Sequence, residues 1–334
     1  DIAMLGRDAF QETDILDVTM PVTKHNYKIK NAADLVPTIR QAFELARSGR
    51  PGPVLLDVPR NLFFEEVSYT AAKPEVRTPG RPDADFMICA AEAAAEIVAA
   101  AHPLVIVGGG VISAGTSAEV TAFIEKYHLP VVHTLMGMGA VPSTHPQMLG
   151  FAGMHGEKAA NYAIGAADLV IAIGSRFADR QTGNLSKYTA NRKFIHIDID
   201  PAEIDKNIEN SLGLAGDMRT ILGLLMRQSP KSDLAEWWDQ IRTWQEEYDY
   251  DYHIGRLTVP WALHQVAQST TGKAYAYVTD VGQHQMWAAL HLRVEEPRTW
   301  LTSGGLGTMG YGLPAAMGAQ LAWGDSRRVI HITG

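Results

Sequence analysis

Three consecutive glycines in the stretch "PLVIVGGGVISAG" could bind a phosphate. Gly108, Gly109 and Gly110 follow an apolar segment and precede a helical one. At such a strand-to-helix turn, backbone N–H groups can surround an anion. The spacing is not the nicotinamide dinucleotide fingerprint, because Ser113 stands where the third glycine is required. Alone, the pattern fits a phosphate-binding turn and a simple tight turn equally well.

Polar or glycyl residues also follow the other apolar segments of this region. They are Thr134, Gly174 with Arg176, Asp198, and Gly216 with Asp217. In a doubly wound parallel sheet the carboxyl ends of the strands line one crevice, so we expect these residues to converge. Asp198 suits a ribose or adenine hydrogen bond, and Arg176 and Arg180 suit negative charge. Together they predict a bound dinucleotide.

A second group of candidates lies near the end of the sequence. The stretch "DVGQHQMW" places Gln283 and His284 at the start of a helix that follows a strand. In "SGGLGTMGYGLPAAMGAQ", five glycines precede a helix and permit close backbone approach to a ligand. A capping histidine and a close helix–helix contact are the structural alternatives. Metal-ligand spacing and a G-x-S-x-G elbow are both missing, which disfavours hydrolases and zinc sites.

The elements that position these residues form successive blocks with the fold class α/β. Residues 1–72 contain a helix at 31–48 and a buried strand at 54–58. In residues 83–228, strands alternate with helices, which predicts a parallel sheet covered by helices on both faces. Residues 229–256 read as a helical connector, and 257–334 start another α/β sheet. The segment 71–82 has the composition of a linker.

Two helices show apolar stripes in the sequence. The first is expected to bury Met87, Ala91, Ala94 and Val98. In the connector, the stripe comprises Trp237, Ile241, Trp244 and Tyr248. A helix that packs its aromatic face on a neighbour explains the second stripe better than a ligand site does.

Composition limits the functional classes. The chain has 334 residues, 46% of them apolar, and a net charge of −8, which argues against nucleic-acid and anionic-membrane partners. No uninterrupted apolar run is long enough to predict a membrane span. The single cysteine, Cys89, excludes an internal disulfide and is expected to be a small buried residue.

Eight motifs together resemble the acetolactate synthase (acetohydroxyacid synthase) family, thiamine-diphosphate enzymes that also carry FAD. The resemblance extends over essentially the whole chain. Its motifs are "DAFQE" at 8–12, "TKHNY" at 23–27, "SGRPGPVLLDVP" at 48–59, "GMHGEKAANYA" at 153–163, "RFADRQTGNL" at 176–185, "HIDIDPAEI" at 196–204, "DVGQHQMWAA" at 280–289 and "SGGLGTMGYGLPAA" at 303–316.

The resemblance implies a three-domain architecture and a reaction. Residues 1–72 correspond to the C-terminal part of a pyrimidine-binding domain, and 83–228 to a Rossmann-like, FAD-binding middle domain. Residues 257–334 correspond to the N-terminal part of a diphosphate-binding domain. The implied reaction decarboxylates pyruvate and condenses it with a second 2-ketoacid. The product is 2-acetolactate or 2-aceto-2-hydroxybutyrate, at the first common step of branched-chain amino-acid biosynthesis.

The resemblance also implies cofactors, partners and location. The cofactors are thiamine diphosphate, Mg²⁺ and FAD. The substrates are small 2-ketoacids, and the assembly is a homodimer or tetramer with shared active sites and a regulatory small subunit. A bacterial protein of this family is expected in the cytoplasm, and a plastid or mitochondrial transit peptide stays open.

Site residues follow from the matching motifs. Expected FAD contacts are Arg50, Gly108, Gly109, Gly110, Thr134, Leu135, Met136, His155, Gly174, Arg176, Asp198, Ile199, Gly216 and Asp217. Expected thiamine diphosphate contacts are Gln283, His284, Gly307, Thr308 and Met309. Phe10, Gln11 and Lys24 resemble residues lining a substrate channel, and Arg180 the arginine that holds the carboxylate of the second ketoacid. Ala178 departs from the family's aspartate, which puts a side-chain contact to flavin in doubt.

Other parts of the family pattern are expected outside this sequence. The cofactor-activating glutamate corresponds to sequence before Asp1, and the Gly-Asp-Gly metal motif begins where Gly334 stands. We therefore expect no metal ligands in this chain and, for the 334 residues alone, no carboligase activity. The rival predictions are glyoxylate carboligase, a nicotinamide-dependent oxidoreductase, and a non-catalytic FAD-binding module.

Overall fold

A computed structural model describes residues 2–69, 83–229, 233–252 and 256–334. The chain divides into two compact units, residues 1–80 and 81–334. Nearly all of the predicted linker, 71–82, lies outside the described residues. The finer division into three domains and a connector stays a prediction.

The first unit is a small αβ layer. Its parallel strands are β1 (His25–Lys28) and β2 (Val54–Asp57). Its helices are α1 (Ile15–Thr19) and α2 (Leu35–Arg47), with 3₁₀ turns at Ile2–Met4, Met20–Val22, Ala32–Asp34 and Arg60–Phe64. The predicted helix and strand at 31–48 and 54–58 are both present within a few residues.

The second unit contains a six-stranded, fully parallel sheet. Its strands are β3 (Pro103–Val107), β4 (Val131–His133), β5 (Met148–Phe151), β6 (Leu169–Ile173), β7 (Lys193–Asp198) and β8 (Leu212–Ala215). Their order is β5-β4-β3-β6-β7-β8, so the chain reverses direction across the sheet between β3 and β6. In doubly wound sheets, ligands bind outside the carboxyl ends of the strands at such a reversal.

Seven helices among the described residues accompany this sheet. They are α3 (Ala84–Ala99), α4 (Gly109–Ala114), α5 (Ser117–Tyr127), α6 (Lys158–Ala166), α7 (Asp179–Thr182), α8 (Leu185–Tyr188) and α9 (Met218–Leu225), with 3₁₀ turns at Leu135–Gly137 and Pro201–Glu203. Every residue of β3 and β6 is buried. Strands covered on both faces read as continuous apolar runs, as "PLVIV" and "LVIAI" do. The prediction of parallel sheets covered by helices is confirmed.

The apolar stripe predicted for α3 was partly wrong. Met87 is 38% exposed, and Ala91 is exposed as well. The buried face consists of Ala90, Ala93, Ala94 and Ile97. Because alanines surround α3 almost completely, the sequence periodicity does not determine which face packs. Cys89 is partly buried rather than fully buried, with its Sγ 3.6 Å from the carbonyl oxygen of Gly213.

The connector is helical as predicted. Helix α10 (Ala235–Glu247) buries Trp237 and Ile241 almost completely. The indole Nε1 of Trp237 donates to the carbonyl oxygen of Pro103 at 3.0 Å. Burial of the aromatic stripe against the first strand of the sheet therefore fixes this helix.

A three-stranded parallel sheet follows in the same unit. Its strands are β9 (Tyr275–Thr279), β10 (Trp300–Leu301) and β11 (Arg328–Ile332), in the order β10-β9-β11. Its helices are α11 (Val259–Thr270), α12 (Gln283–His291) and α13 (Gly312–Trp323), with a 3₁₀ turn at Gly324–Ser326. The stretch "RRVIHITG" forms β11, beside the central strand.

Candidate functional site

The two turns at the centre of the six-stranded sheet pack directly on each other. The amide of Gly110 donates to the carbonyl oxygen of Gly174 at 3.0 Å. A β-carbon on Gly108 would lie 2.1 Å from that same oxygen, and one on Gly110 would lie 2.6 Å from the Cα of Gly174. Gly174 itself has a positive φ of 59°. Glycine is therefore required at these positions for packing of the turns, whether or not a ligand also approaches them.

Next to this contact, the end of β4 forms the wall of the same edge. The hydroxyl of Thr134 accepts from the amide of Gly137 at 3.2 Å, and the carbonyl oxygen of Leu135 accepts from the indole of Trp300 at 3.1 Å. Met136 is partly exposed, and a β-carbon on Gly109 would lie 3.1 Å from its Cβ. The structure thus brings the two predicted groups 108–110 and 134–136 together.

Two carboxylates stand at the ends of β7 and β8. Asp198 is largely buried, and its Oδ1 accepts from the amide of Asp200 at 3.0 Å. The amide of Gly216 donates to the carbonyl oxygen of Asp198 at 2.9 Å, so the two strand ends are adjacent. Asp217 caps α9 by accepting from the amide of Thr220 at 2.9 Å. The carboxylate of Asp217 therefore has a structural role that the sequence motif did not reveal.

Backbone contacts join the loops that carry His155 and Arg180. The amide of Met154 donates to the carbonyl oxygen of Arg180 at 2.8 Å. The side-chain amide of Asn161 holds Gly153 on both sides, accepting from its N–H at 3.0 Å and donating to its C=O at 2.8 Å. Asn161 belongs to the motif at 153–163, but sequence reasoning gave it no role.

The charged and flanking residues of this region are accessible. His155, Arg176 and Ala178 are exposed, and Ile199 is 40% exposed. The side chain of Arg180 is 72% exposed and lies 3.1 Å from the carboxylate of Asp179. A guanidinium held this way can exchange its exposed partner for the carboxylate of a substrate.

A second edge is formed by the three-stranded sheet. Gln283 and His284 open α12 directly after β9, while Gly307, Thr308 and Met309 lie in the loop between β10 and α13. The Nε2 atom of His284 is buried and has no hydrogen-bond partner within the described ranges. Thr308 and Met309 are exposed. This edge therefore combines an unpaired imidazole nitrogen with an accessible glycine-rich loop.

Side chains that sequence reasoning missed hold this second edge in place. The carboxylate of Asp280 accepts from the amides of Val281 at 2.7 Å, Gly310 at 3.0 Å and Gly312 at 3.1 Å. The hydroxyl of Ser303 accepts from the amide of Thr308 at 2.9 Å. An aspartate at a strand end followed by glycine was the available sequence signal for Asp280.

Beneath the loop lies a buried polar chain. The amide of Gln285 donates to the hydroxyl of Thr302 at 2.6 Å, and that hydroxyl lies 2.7 Å from the hydroxyl of Thr279. All three side chains are buried. Because buried polar groups are costly unless paired, this chain fixes the relative positions of β9, β10 and α12.

The two edges are neighbours within the second unit. A β-carbon on Gly304 would lie 2.5 Å from the sulfur of Met136, and one on Gly305 would lie 3.9 Å from a guanidinium nitrogen of Arg176. The predicted FAD contacts and the predicted thiamine diphosphate contacts of this unit therefore adjoin each other. Their assignment as cofactor contacts stays a prediction.

Four further candidates belong to the first unit. Phe10 is 93% exposed, and Gln11 has a positive φ of 61°. The ammonium of Lys24 donates to the carbonyl oxygens of Leu45 at 2.7 Å and Ser48 at 2.6 Å, at the end of α2. Lys24 thus stabilises a helix C-terminus, a position that favours cations. The roles of these three residues and of Arg50 in a channel or a flavin site stay predictions.

Metal and membrane sites were also considered. Within residues 2–69, 83–229, 233–252 and 256–334, no group of three His, Cys, Asp or Glu side chains could hold a metal ion. The residues present therefore do not fit a Mg²⁺ site. Over the same residues, each helix is too short or too polar to span a bilayer.

Family profiles match two parts of the chain. Residues 90–225 match the central domain of thiamine pyrophosphate enzymes, which coincides with the six-stranded sheet. Residues 280–334 match the C-terminal TPP binding domain of thiamine pyrophosphate enzymes, which includes the glycine-rich loop and α12. The two matches contain the two neighbouring edges.

Curated relatives give the same result over a longer range. The chain is 41% identical to the acetolactate synthase large subunit of Haemophilus influenzae, over 99% of this chain and 59% of the relative. It is 40% identical to the acetolactate synthase isozyme 3 large subunit of Escherichia coli, over 99% of this chain and 60% of the relative. For the large subunit of Corynebacterium glutamicum, the identity is 43% over 95% and 52%.

The chain thus spans a little over half the length of these relatives. Its central sheet, its glycine-rich loop and its similarity to the large subunits all agree with the resemblance found in the motifs. The chain belongs to the thiamine pyrophosphate-dependent enzyme family.

Proposed function

We propose that this chain is part of the catalytic large subunit of an acetolactate synthase. The reaction joins pyruvate to a second 2-ketoacid with loss of CO₂, giving 2-acetolactate or 2-aceto-2-hydroxybutyrate. The observation that carries the proposal is the identity of about 40% to acetolactate synthase large subunits, which extends over 99% of the chain and includes both edges.

The second edge fits a thiamine diphosphate site. The unpaired Nε2 of His284 requires a polar partner, and Gln283 places an exposed amide in the same helical turn. The amides of the loop at 307–309 would hold anionic oxygens, and the side chain of Met309 would supply apolar contact. When bound, the cofactor supplies an electron sink for decarboxylation of a 2-ketoacid. The residues of this edge bind and orient it.

The first edge fits a nucleotide such as FAD. Asp198 would accept from a ribose or adenine, and the exposed guanidinium of Arg176 would face the diphosphate. Because the proposed reaction has no net redox change, the flavin would serve a structural role. Ala178 caps α7 without a side-chain hydrogen bond, so any contact there uses its backbone.

Arg180 is proposed to hold the carboxylate of the second ketoacid. Its guanidinium is accessible and is joined by backbone contacts to the loop of His155. A planar fork with several N–H donors binds a carboxylate through two parallel hydrogen bonds. Such binding would orient the keto carbon for attack and displace water from it.

The remaining expectations about assembly are also proposals. We propose a homodimer or tetramer with shared active sites, a regulatory small subunit, and a requirement for Mg²⁺. The name "large subunit" carried by the relatives supports the small subunit. A cytoplasmic location stays a prediction.

The decisive experiment is an assay of acetolactate formation from pyruvate by the full-length protein. Thiamine diphosphate, Mg²⁺ and FAD are omitted one at a time, and loss of product without thiamine diphosphate is expected. Turnover of glyoxylate in place of pyruvate would identify a glyoxylate carboligase instead. A yellow protein inert toward every 2-ketoacid would leave a flavin-binding module. The same assay on the 334 residues alone tests whether they are inactive.

A further inference from the structure

The carboxylate of Asp280 joins two segments that are 30 residues apart in sequence. One oxygen accepts from the amides of Val281 at 2.7 Å and Gly310 at 3.0 Å. The other oxygen accepts from the amides of Gly310 at 3.1 Å and Gly312 at 3.1 Å. Both oxygens are therefore engaged, and all of these donors are backbone N–H groups.

These contacts act at the start of α13. Tyr311, the residue before this helix, makes no side-chain capping hydrogen bond. Asp280 replaces it as a non-local cap, and its negative charge lies at the helix end that favours anions. The amides donate to the charged form of the carboxylate, and this lowers the pKa of Asp280 below its ordinary value.

The loop that Asp280 holds has little other support of this kind. Gly307 and Gly310 adopt positive φ values of 72° and 86°, and Leu306 is 93% exposed. At its other end, the hydroxyl of Ser303 accepts from the amide of Thr308 at 2.9 Å. The residues proposed to contact the cofactor, 307–309, lie between these two anchors.

We infer that Asp280 is a positioning residue whose carboxylate fixes the glycine-rich loop 303–312 in the conformation that binds the diphosphate cofactor. The inference rests on the proposed function for the identity of that cofactor. It adds a residue that need not touch the cofactor and that acts through the amides of Gly310 and Gly312.

The choice of aspartate has a geometric reason. An asparagine of the same size offers one acceptor oxygen, and its NH₂ group would point at one of the amide donors. Asp280→Asn therefore keeps the volume but loses one set of hydrogen bonds. Asp280→Ala loses both. Asp325→Asn is the matched control, because Asp325 is exposed just after α13 in the same unit.

The first measurement needs no cofactor. Amide hydrogen exchange of the segment 303–312 is followed in the full chain, and exchange at least about tenfold faster is expected in both Asp280 variants, because a net hydrogen bond to a charged group is worth roughly a factor of ten. The Asp325→Asn control should exchange like the wild type. Unchanged protection of this segment in Asp280→Ala overturns the inference.

The second measurement uses the full-length protein with thiamine diphosphate and Mg²⁺. Asp280→Asn should raise the Kd of thiamine diphosphate about tenfold, while kcat at saturating cofactor stays within about twofold of the wild type. FAD affinity should not change. An equal fall of kcat with unchanged Kd would show a general structural defect and would also overturn the inference.

The two measurements separate the inference from the proposed function. If the wild type binds no thiamine diphosphate but loop exchange still responds to Asp280, then the cofactor assignment fails while the anchoring role stands. If the wild type binds and neither quantity responds, then the anchoring role fails while the proposed function stands.

Discussion

At the scale of single residues, the glycines at the centre of the six-stranded sheet are defined by contact with backbone. The position of Gly108 leaves no room for a side chain, because a β-carbon there would lie 2.1 Å from the carbonyl oxygen of Gly174. That atom belongs to the backbone of the adjacent turn and cannot rotate away. Steric exclusion therefore sets the residue type independently of any ligand.

Gly108→Ala should lower the free energy of unfolding by about 2–4 kcal/mol, in the range of overpacked core substitutions. The measurement is urea denaturation followed by circular dichroism. Gly223→Ala serves as the control, because Gly223 is exposed in α9 with no heavy atom within 4 Å of the added carbon. That change should be neutral or stabilising by up to about 1 kcal/mol. Equal stability of both variants would contradict this account.

Arg180 gives a prediction about substrate binding. Arg180→Lys keeps the charge but loses the planar fork, so the KM for the second 2-ketoacid should rise by about tenfold or more. Steady-state kinetics with pyruvate and 2-ketobutyrate measure this change. Arg242→Lys, on the exposed side of α10, is the control and should leave the KM unchanged. If Arg180→Lys leaves both KM values unaltered, Arg180 does not hold this carboxylate.

At the scale of elements, the segment after α10 packs acidic and aromatic groups against the loop before α6. Burial raises the pKa of Glu157 to about 7, opposed by a hydrogen bond from Tyr250 and assisted by the charge of Asp249. Nearby, the hydroxyl of Tyr252 lies 2.9 Å from the Nδ1 of His291 in α12. The connector thus contacts elements of both sheets.

The raised pKa of Glu157 predicts a pH dependence of stability. The folded protein retains a proton that the unfolded chain releases above its ordinary pKa of 4.5. The contribution of Glu157 is therefore fully present below that value and is lost as pH rises to about 7, by at most about 3 kcal/mol. Glu157→Gln should remove this slope.

The difference between wild type and Glu157→Gln isolates this group. Burial lowers the pKa of both His133 and His291 to about 4, and these residues change stability with the opposite sign. They are present in both proteins, so they cancel in the comparison. Glu236→Gln, exposed on α10, is the control. Parallel stability curves for wild type and Glu157→Gln between pH 4 and 8 would refute the prediction.

The element scale also shows what the sequence could predict. The strands "PLVIV" and "LVIAI" were predictable because both faces are buried and nearly every residue is apolar. The packed face of α3 was not, since its alanines give no clear periodicity. Asp280 and Asn161 were missed for another reason. Their partners are backbone amides 30 and 8 residues away, and no pattern of side chains records such contacts.

At the scale of the whole molecule, the two neighbouring edges predict that a flavin stabilises the second unit. FAD at 100 times its Kd should add about 2.7 kcal/mol to the free energy of unfolding, or about 5–10 °C in Tm. Differential scanning fluorimetry measures the shift. Arg176→Ala should reduce it, because the guanidinium is proposed to face the diphosphate.

A surface variant tests the specificity of that shift. Arg242→Ala lies on α10, where Arg242 pairs with Asp239, and should keep the full increase in Tm. The absence of any FAD-dependent shift in the wild type would remove the flavin from the proposed function. The thiamine diphosphate assignment would be unaffected, since it depends on the other edge.

The strand order of the large sheet also bears on how the chain is synthesised. Strand β3 occupies the centre, yet Pro103 pairs with Leu169, whose number is larger by 66. At roughly 5–20 residues per second, a ribosome needs about 3–13 s to make this intervening sequence. During that interval one hydrogen-bonding edge of the most apolar strand has no neighbour. Nascent chains of this protein are therefore open to chaperones, or to one another, for seconds before the sheet can close.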